Sequence, residues 1–196
     1  MNILILKPLR FSILITLILL AENSRAQFPF APVQFNDSRF PPIRHAVPFH
    51  AQKTMVWCWV AAAEMVAEYY ARQPVPEQCA MLQMQYGAPC CIDPTPCLRP
   101  GAITEVQALV AHFGCRFSGV APPANGFVLY DALKRGPIIM HTRQGAGHFV
   151  VATGMRVMAT PYGPCGMVSI HDPLLGPYEI DFPTLLQNWD AAVVVY

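Results

Sequence analysis

Charge is scarce in this chain. Only 13% of its residues are Asp, Glu, Lys or Arg, and lysine occurs three times, at Lys7, Lys53 and Lys134. No cluster of Lys and Arg forms a basic stripe, so nucleic acid is not expected as a partner. The chain also lacks any apolar run long enough to span a bilayer. Its longest N-terminal run, Phe11–Ala21, is eleven residues, against the roughly 20 a spanning helix needs. There is no internal repeat and no low-complexity tract, which excludes solenoid and fibrous architectures.

Proline, aromatic residues and cysteine are plentiful instead. Lys7 and Arg10 precede the run Phe11–Ala21, and Ser24-Arg25-Ala26 follows it with small residues at a cleavage spacing. That order is the pattern of a secretory signal peptide over residues 1–26, which places the protein outside the cytoplasm, secreted or periplasmic, with no stable membrane anchor after cleavage. Removing Lys7, Arg10, Arg25 and Glu22 from thirteen basic and twelve acidic residues leaves ten and eleven, a net charge near −1. Residues 27–196 are then long enough for one domain with a real core. Residues 27–50 carry Phe28-Pro29-Phe30, Phe40-Pro41-Pro42 and Val47-Pro48-Phe49 and read as an extended arm, too apolar for a solvated linker. The plainer alternative is a first strand with its lead-in, and a cleft-blocking propeptide is a third reading.

Seven cysteines in an exported chain suggest three bridges and one free thiol. Cys58 is the natural odd one out, leaving Cys79, Cys90, Cys91, Cys97, Cys115 and Cys165 to pair. Adjacent Cys90 and Cys91 are too close along the backbone to bond each other comfortably. A metal site on Cys79, Cys90, Cys91, Cys97 and His112 is the competing reading. The spacing from Cys91 to Cys97 fits no common zinc pattern, and no cofactor or metal is expected.

Hydrophobic periodicity divides the rest. Cys58 to Ala71 reads as a helix with Ala62, Met65, Val66 and Tyr69 on one stripe. Cys79 to Gly101, crowded with cysteine and proline, reads as a loop region in which disulfides replace a packed core. Ile103 to Phe113 is an amphipathic helix with Val106, Leu109, Val110 and Phe113 inward and Gly114 as its stop. Asn125 to Lys134 is another. Pro137–Thr142, His148–Thr153, Gly166–His171 and Tyr178–Asp181 read as strands, Phe182 to Asn188 as a short helix and Ala191–Tyr196 as a final strand. Helices first and antiparallel strands after give an α+β fold, with the Cys58 helix packed against a C-terminal sheet.

One constellation carries chemistry. Cys58 lies between Trp57 and Trp59 at the start of its helix, where the dipole favours a thiolate. Gln52, six residues earlier, is a side-chain amide able to face a developing oxyanion together with the Cys58 backbone N–H. His148 begins one predicted strand and Asp172 ends another, so both reach one mouth if those strands pair. Gly145-Ala146-Gly147 keeps the approach to His148 open. Cysteine, histidine and aspartate in that order are the parts of a thiol acyl-transfer enzyme, with Cys58 as nucleophile, His148 as base and Asp172 as orienter. Each part has a bland reading: a small buried hydrophobe for Cys58, a core histidine for His148, a turn opener for Asp172-Pro173. Trp57, Trp59, Tyr69 and Tyr70 read as core before they read as a substrate platform.

Gln52-x5-Cys58-Trp59 followed by a small-residue helix resembles the active-site segment of papain-like cysteine peptidases. His148-Phe149-Val150-Val151 and Asp172-Pro173 resemble two bacterial branches, the secreted avirulence-type effector proteases of plant pathogens and the peptidase domains of double-glycine bacteriocin processors. Tyr69-Tyr70 and Gln78-Cys79, Cys90-Cys91 and Cys97-x-Arg99-Pro100-Gly101 are closest to the effector branch. The resemblance spans roughly Val47 to Pro173. It implies a papain-like fold, a protein or peptide substrate, and the roles already given to Cys58, His148, Asp172 and Gln52. Papain itself uses asparagine as orienter, whereas Asp172 follows the bacterial branches. The expected signal peptide argues against bacteriocin processing. Amidases, deamidases and transglutaminases run the same triad, and a disulfide-stapled binding domain without activity is the non-enzyme alternative. A monomer is the default expectation.

Overall fold

The computed structural model describes residues 39–71 and 75–196. The expected signal peptide and the first half of the Pro-rich arm, residues 27–38, lie outside the described residues. From Phe40 onward the chain is tied down. Phe40 packs against Phe127 and edge-on to Tyr130, whose hydroxyl donates to the Pro41 carbonyl at 2.6 Å. A short strand, β1 (Ile43–Arg44), follows, so this part of the arm is the lead-in to a strand.

The C-terminal half is the antiparallel sheet its short apolar segments predict. Strands β2 (Ile138–Thr142), β3 (His148–Thr160), β4 (Gly163–Asp172), β5 (Gly176–Asp181) and β6 (Trp189–Val194) lie in the order β5-β4-β3-β2-β6, with β1 paired to β3. All pairings are antiparallel. β1 docks where β3 carries Gly154; a Cβ there would overlap the Ile43 carbonyl. β3 and β4 are longer than the apolar runs suggest. Beyond Met155 they form a ribbon that leaves the core, so its residues carry no buried alternation to read. Both faces of the sheet centre are covered, which is why β2, β3 and β6 read as continuous apolar runs. Ile139, Phe149, Val151 and Val193 face one side; Ile138, Met140, Val150, Ala152 and Ala192 face the other.

The first face is covered by α1 (Cys58–Tyr70), with α2 (Gln78–Tyr86) and α3 (Ile103–His112) behind it. Every residue of α1 from Cys58 to Ala67 is buried. Glu64 apart, this stretch is apolar on all sides, as suits a central helix, and Ala61, Ala62 and Ala63 allow close approach all round. The second face is covered by α4 (Gly126–Leu133), capped by the Asn125 side chain accepting from Val128 N at 3.0 Å, and by α5 (Phe182–Asn188), capped by Asp181. Gly114, at φ +80°, ends the turn after α3. None of the helices among the described residues is long and apolar enough to cross a membrane.

Two expectations are corrected. The segment Cys79 to Gly101 is not all loop: α2 occupies its first part and buries Met81 and Leu82, and a 3-10 turn spans Thr95–Cys97. Proline does not appear until Pro89, and the preceding Met, Leu, Gln and Ala are good helix formers. The six paired cysteines are also not found. Cys79–Cys91 and Cys90–Cys97 are bonded, while Cys58, Cys115 and Cys165 are free. Cys115 is buried after α3, beside α1, whereas Cys165 is on the β3–β4 ribbon opposite Met158. They occupy different parts of the fold, and a buried free thiol is simply a small hydrophobe.

Candidate active site

The antiparallel pairing of β3 and β4 brings the start of one strand to the end of the other. It puts His148 beside Asp172. His148 Nε2 and Asp172 Oδ1 are 2.8 Å apart, and both residues are buried, Asp172 completely. The Asp172 Oδ1 atom also accepts from Leu174 N at 2.8 Å and Leu175 N at 3.1 Å. Asp172 is therefore a turn opener and a histidine partner at once. Its Oδ2 atom is buried without a hydrogen bond among the described residues.

Cys58 opens α1 at 8% exposure, and its thiol is among the groups that favour charge on the His148 ring. With Nε2 on Asp172, the Nδ1 edge of the ring is the one left for the sulfur. Burial opposes charge on His148, but hydrogen bonds to Asp172 and Cys58 and the charges of both raise it to about 9. Burial likewise opposes charge on Asp172, and its bonds to His148, Leu174 and Leu175 overcome this and hold the carboxyl below its ordinary range. The imidazolium–carboxylate pair is thus the favoured state at neutral pH.

The two tryptophans flanking Cys58 are not a platform for a ligand. Trp57 Nε1 donates to the Cys97 carbonyl at 3.0 Å and Trp59 Nε1 to the Arg99 carbonyl at 3.3 Å. Gly101 lies against the Trp59 ring, where a Cβ would overlap it. The disulfide-stapled segment is therefore the anchor of the turn that carries Cys58. The sequence offered no signal for these bonds, since an indole N–H has no preferred partner in sequence.

Gln52 lies on a loop before α1. Its backbone N–H donates to the Pro173 carbonyl at 2.9 Å, which laces this loop to the turn after Asp172. Its Nε2 donates to the Thr54 carbonyl at 2.8 Å, and its Oε1 is buried without a partner. One N–H of the amide thus remains available. Gly147 has a role other than keeping the approach open. At φ +103° it shapes the β2–β3 turn, and a side chain there would press on the His141 ring. The four cysteines of the metal alternative are all consumed in disulfides, so they offer no thiolates.

A thiol, an imidazole and a carboxylate in one site suit nucleophilic acyl transfer. The comparisons agree. A family profile described as papain-like cysteine protease AvrRpt2 matches residues 42–182, more than half of the chain. Two solved structures share the fold. One is a double-glycine motif protease from an AMS/PCAT transporter, solved with its leader peptide, at 21% identity and TM-score 0.53, covering 79% of this chain and 96% of that one. The other is the peptidase domain of Streptococcus ComA, a bifunctional ABC transporter of a quorum-sensing pathway. It has 15% identity and TM-score 0.53, covering 74% of this chain and 95% of that one. No protein of curated function matches the sequence significantly.

Proposed function

We propose, from the premise that the chain belongs to the papain-like cysteine protease family of AvrRpt2, that Cys58, His148 and Asp172 are its catalytic triad and Gln52 a donor of its oxyanion hole. The protein is a cysteine peptidase of papain-like α+β fold. The observation that carries the assignment of roles is the buried His148–Asp172 bond, on a histidine whose charge the Cys58 thiol also favours.

In this reading the Cys58 sulfur attacks the scissile carbonyl carbon. A C–S bond forms and the carbonyl oxygen becomes an oxyanion, faced by the Cys58 N–H and the free N–H of Gln52. His148 gives its Nδ1 proton to the amide nitrogen as the C–N bond breaks, and the amine product leaves a thioester. Water then attacks the thioester, His148 takes its proton, and the C–S bond breaks to release the acid. Asp172 accepts from Nε2 throughout, fixing the ring and stabilising its charge. Substrates are peptides or proteins; a structural neighbour of the same fold was solved with a leader peptide bound, which supports a peptide in the cleft. The pattern over residues 1–26 supports action outside the cytoplasm, and a monomer suffices because all four groups come from one chain.

The test is product analysis on a complex peptide library. Cleaved peptides that vanish with Cys58→Ala and with His148→Ala support the reading. Ammonia release or isopeptide bonds without cleavage would overturn it in favour of a deamidase or transglutaminase.

A further inference from the structure

Gln78 is buried to 1% exposure at the first position of α2, and its amide makes three hydrogen bonds. Its Oε1 accepts from Lys53 N at 2.9 Å, and its Nε2 donates to the Ala51 carbonyl at 2.9 Å. Ala51 and Lys53 are the residues on either side of Gln52. The amide of Gln78 therefore pairs with the backbone around Gln52 as a neighbouring strand would. Its second N–H goes to Glu64 Oε2 at 2.8 Å, a buried carboxylate on α1, six residues after Cys58.

The loop needs this brace. Ala51, Lys53 and Met55 are exposed, so little packing holds the loop in place. Its other ties include the Gln52 N–H to Pro173, the Gln52 Nε2 bond to the Thr54 carbonyl, a Trp57 N–H to Thr54 bond of 3.3 Å, the packing of Val56 on the core and an exposed ion pair of Lys53 with Glu77. Glu77 and Gln78 are consecutive at the start of α2, and the next residue, Cys79, is bonded to Cys91. One buried amide thus connects the loop carrying Gln52, the helix carrying Cys58 and the stapled segment.

We propose that Gln78 is a positioning residue that fixes the Gln52 amide against the oxyanion generated at Cys58. The inference rests on the role proposed above for Gln52. An oxyanion donor acts in the transition state, so its misplacement lowers kcat and leaves KM. Losing one such donor outright costs about 10²–10³-fold, and a displaced one is expected to cost about 10–100-fold.

The experiment compares the protein with Gln78→Met, Gln52→Ala and the double variant, all purified without reductant. Three readouts are used: peptide cleavage, affinity for a peptide aldehyde, and alkylation of Cys58 by iodoacetamide. The aldehyde adds the Cys58 sulfur to its carbonyl carbon and develops the same oxyanion; alkylation develops none. The expected result is a loss of about 10–100-fold in kcat and a matching loss in aldehyde affinity, with alkylation within about twofold of the parent. The double variant is then no worse than Gln52→Ala. Gln78→Glu is the second variant, in case Gln78→Met does not fold. It sets a carboxylate against Glu64 at neutral pH, and its activity recovers on acidification as the pair takes up a proton. Losses that multiply in the double variant, alkylation that falls in step with cleavage, or a folded Gln78 variant with full kcat would overturn the proposal. A parent protein that alkylates at Cys58 yet neither cleaves peptides nor binds the aldehyde would remove the oxyanion reading itself, and this inference with it.

Discussion

Replacing Asp172 by asparagine removes a charge while keeping shape. In the parent, Oδ1 accepts from His148 Nε2 and from the Leu174 and Leu175 N–H groups. Asparagine has one acceptor oxygen. If it stays with the two backbone groups and His148, the histidine bond loses its charge assistance. If the amide nitrogen faces Nε2 instead, the ring must place its proton on Nδ1, toward the sulfur, and cannot act as a base for Cys58. A hydrogen bond to a charged group contributes about 1.5–3 kcal/mol, and the buried ring loses its counter-charge as well. A loss of about 2–4 kcal/mol of transition-state stabilisation follows, or about 30- to 1000-fold in kcat/KM. The direction in pH is equally specific. His148 must hold a proton for the leaving amine, and Asp172 is the first group raising it to about 9. Without that charge the alkaline limb of kcat/KM moves down from about 9 toward the ordinary histidine value near 6.5. The assay is kcat/KM on any cleaved peptide across the titration range of histidine, for the parent and the asparagine variant. An alkaline limb that stays near 9, or a loss below about threefold, would refute the assignment of Asp172 as the orienting charge.

Three further outcomes are expected. Denatured protein, never reduced, should take up three carbamidomethyl groups, at Cys58, Cys115 and Cys165; uptake of one would restore the three-bridge arrangement. Gly101→Ala should lower the thermal midpoint by overpacking against Trp59, at a cost of about 1–3 kcal/mol, and an unchanged midpoint would contradict that contact. Stability of the parent relative to Asp172→Ala should depend on pH at both ends. His148 is raised on folding, so its contribution is whole below about 6.5 and lost as pH rises through about 9. Asp172 is lowered, so its contribution is whole above its unfolded value near 3.8 and lost as pH falls through its folded value. Urea midpoints that differ by the same amount at all pH values would contradict the pair.

The sequence carried most of the architecture because the buried elements have strong patterns. The helix at Cys58, the strand at His148 and the strand ending at Asp172 all fall where expected, and their pairing follows from short antiparallel connections. The β3–β4 ribbon was not legible, since residues such as Thr160 and Tyr162 face solvent and repeat no core pattern. Helix α2 was hidden because cysteine and proline density nearby outweighed seven good helix formers among its nine residues. Cysteine parity failed at Cys115 and Cys165, because a count does not distinguish a thiol used as a hydrophobe from one used as a bridge. Of the site, the residue types were readable but not their supports. That Trp57 and Trp59 hang from the carbonyls of Cys97 and Arg99, and that Gln78 spans Gln52, are long-range contacts without a local signature.

Iodoacetamide labelling of the protein purified without reductant tests whether Cys58 is a nucleophile activated by His148. Rates at Cys58, Cys115 and Cys165 are followed separately by peptide mapping, from mildly acidic to neutral pH, beside His148→Ala. Burial pushes the thiols of Cys115 and Cys165 up, so both should lag. Cys58 should label fast, keep labelling in mild acid and slow by at least about tenfold in His148→Ala. Cys58 labelling no faster than the other two thiols, or indifferent to His148→Ala, would contradict it.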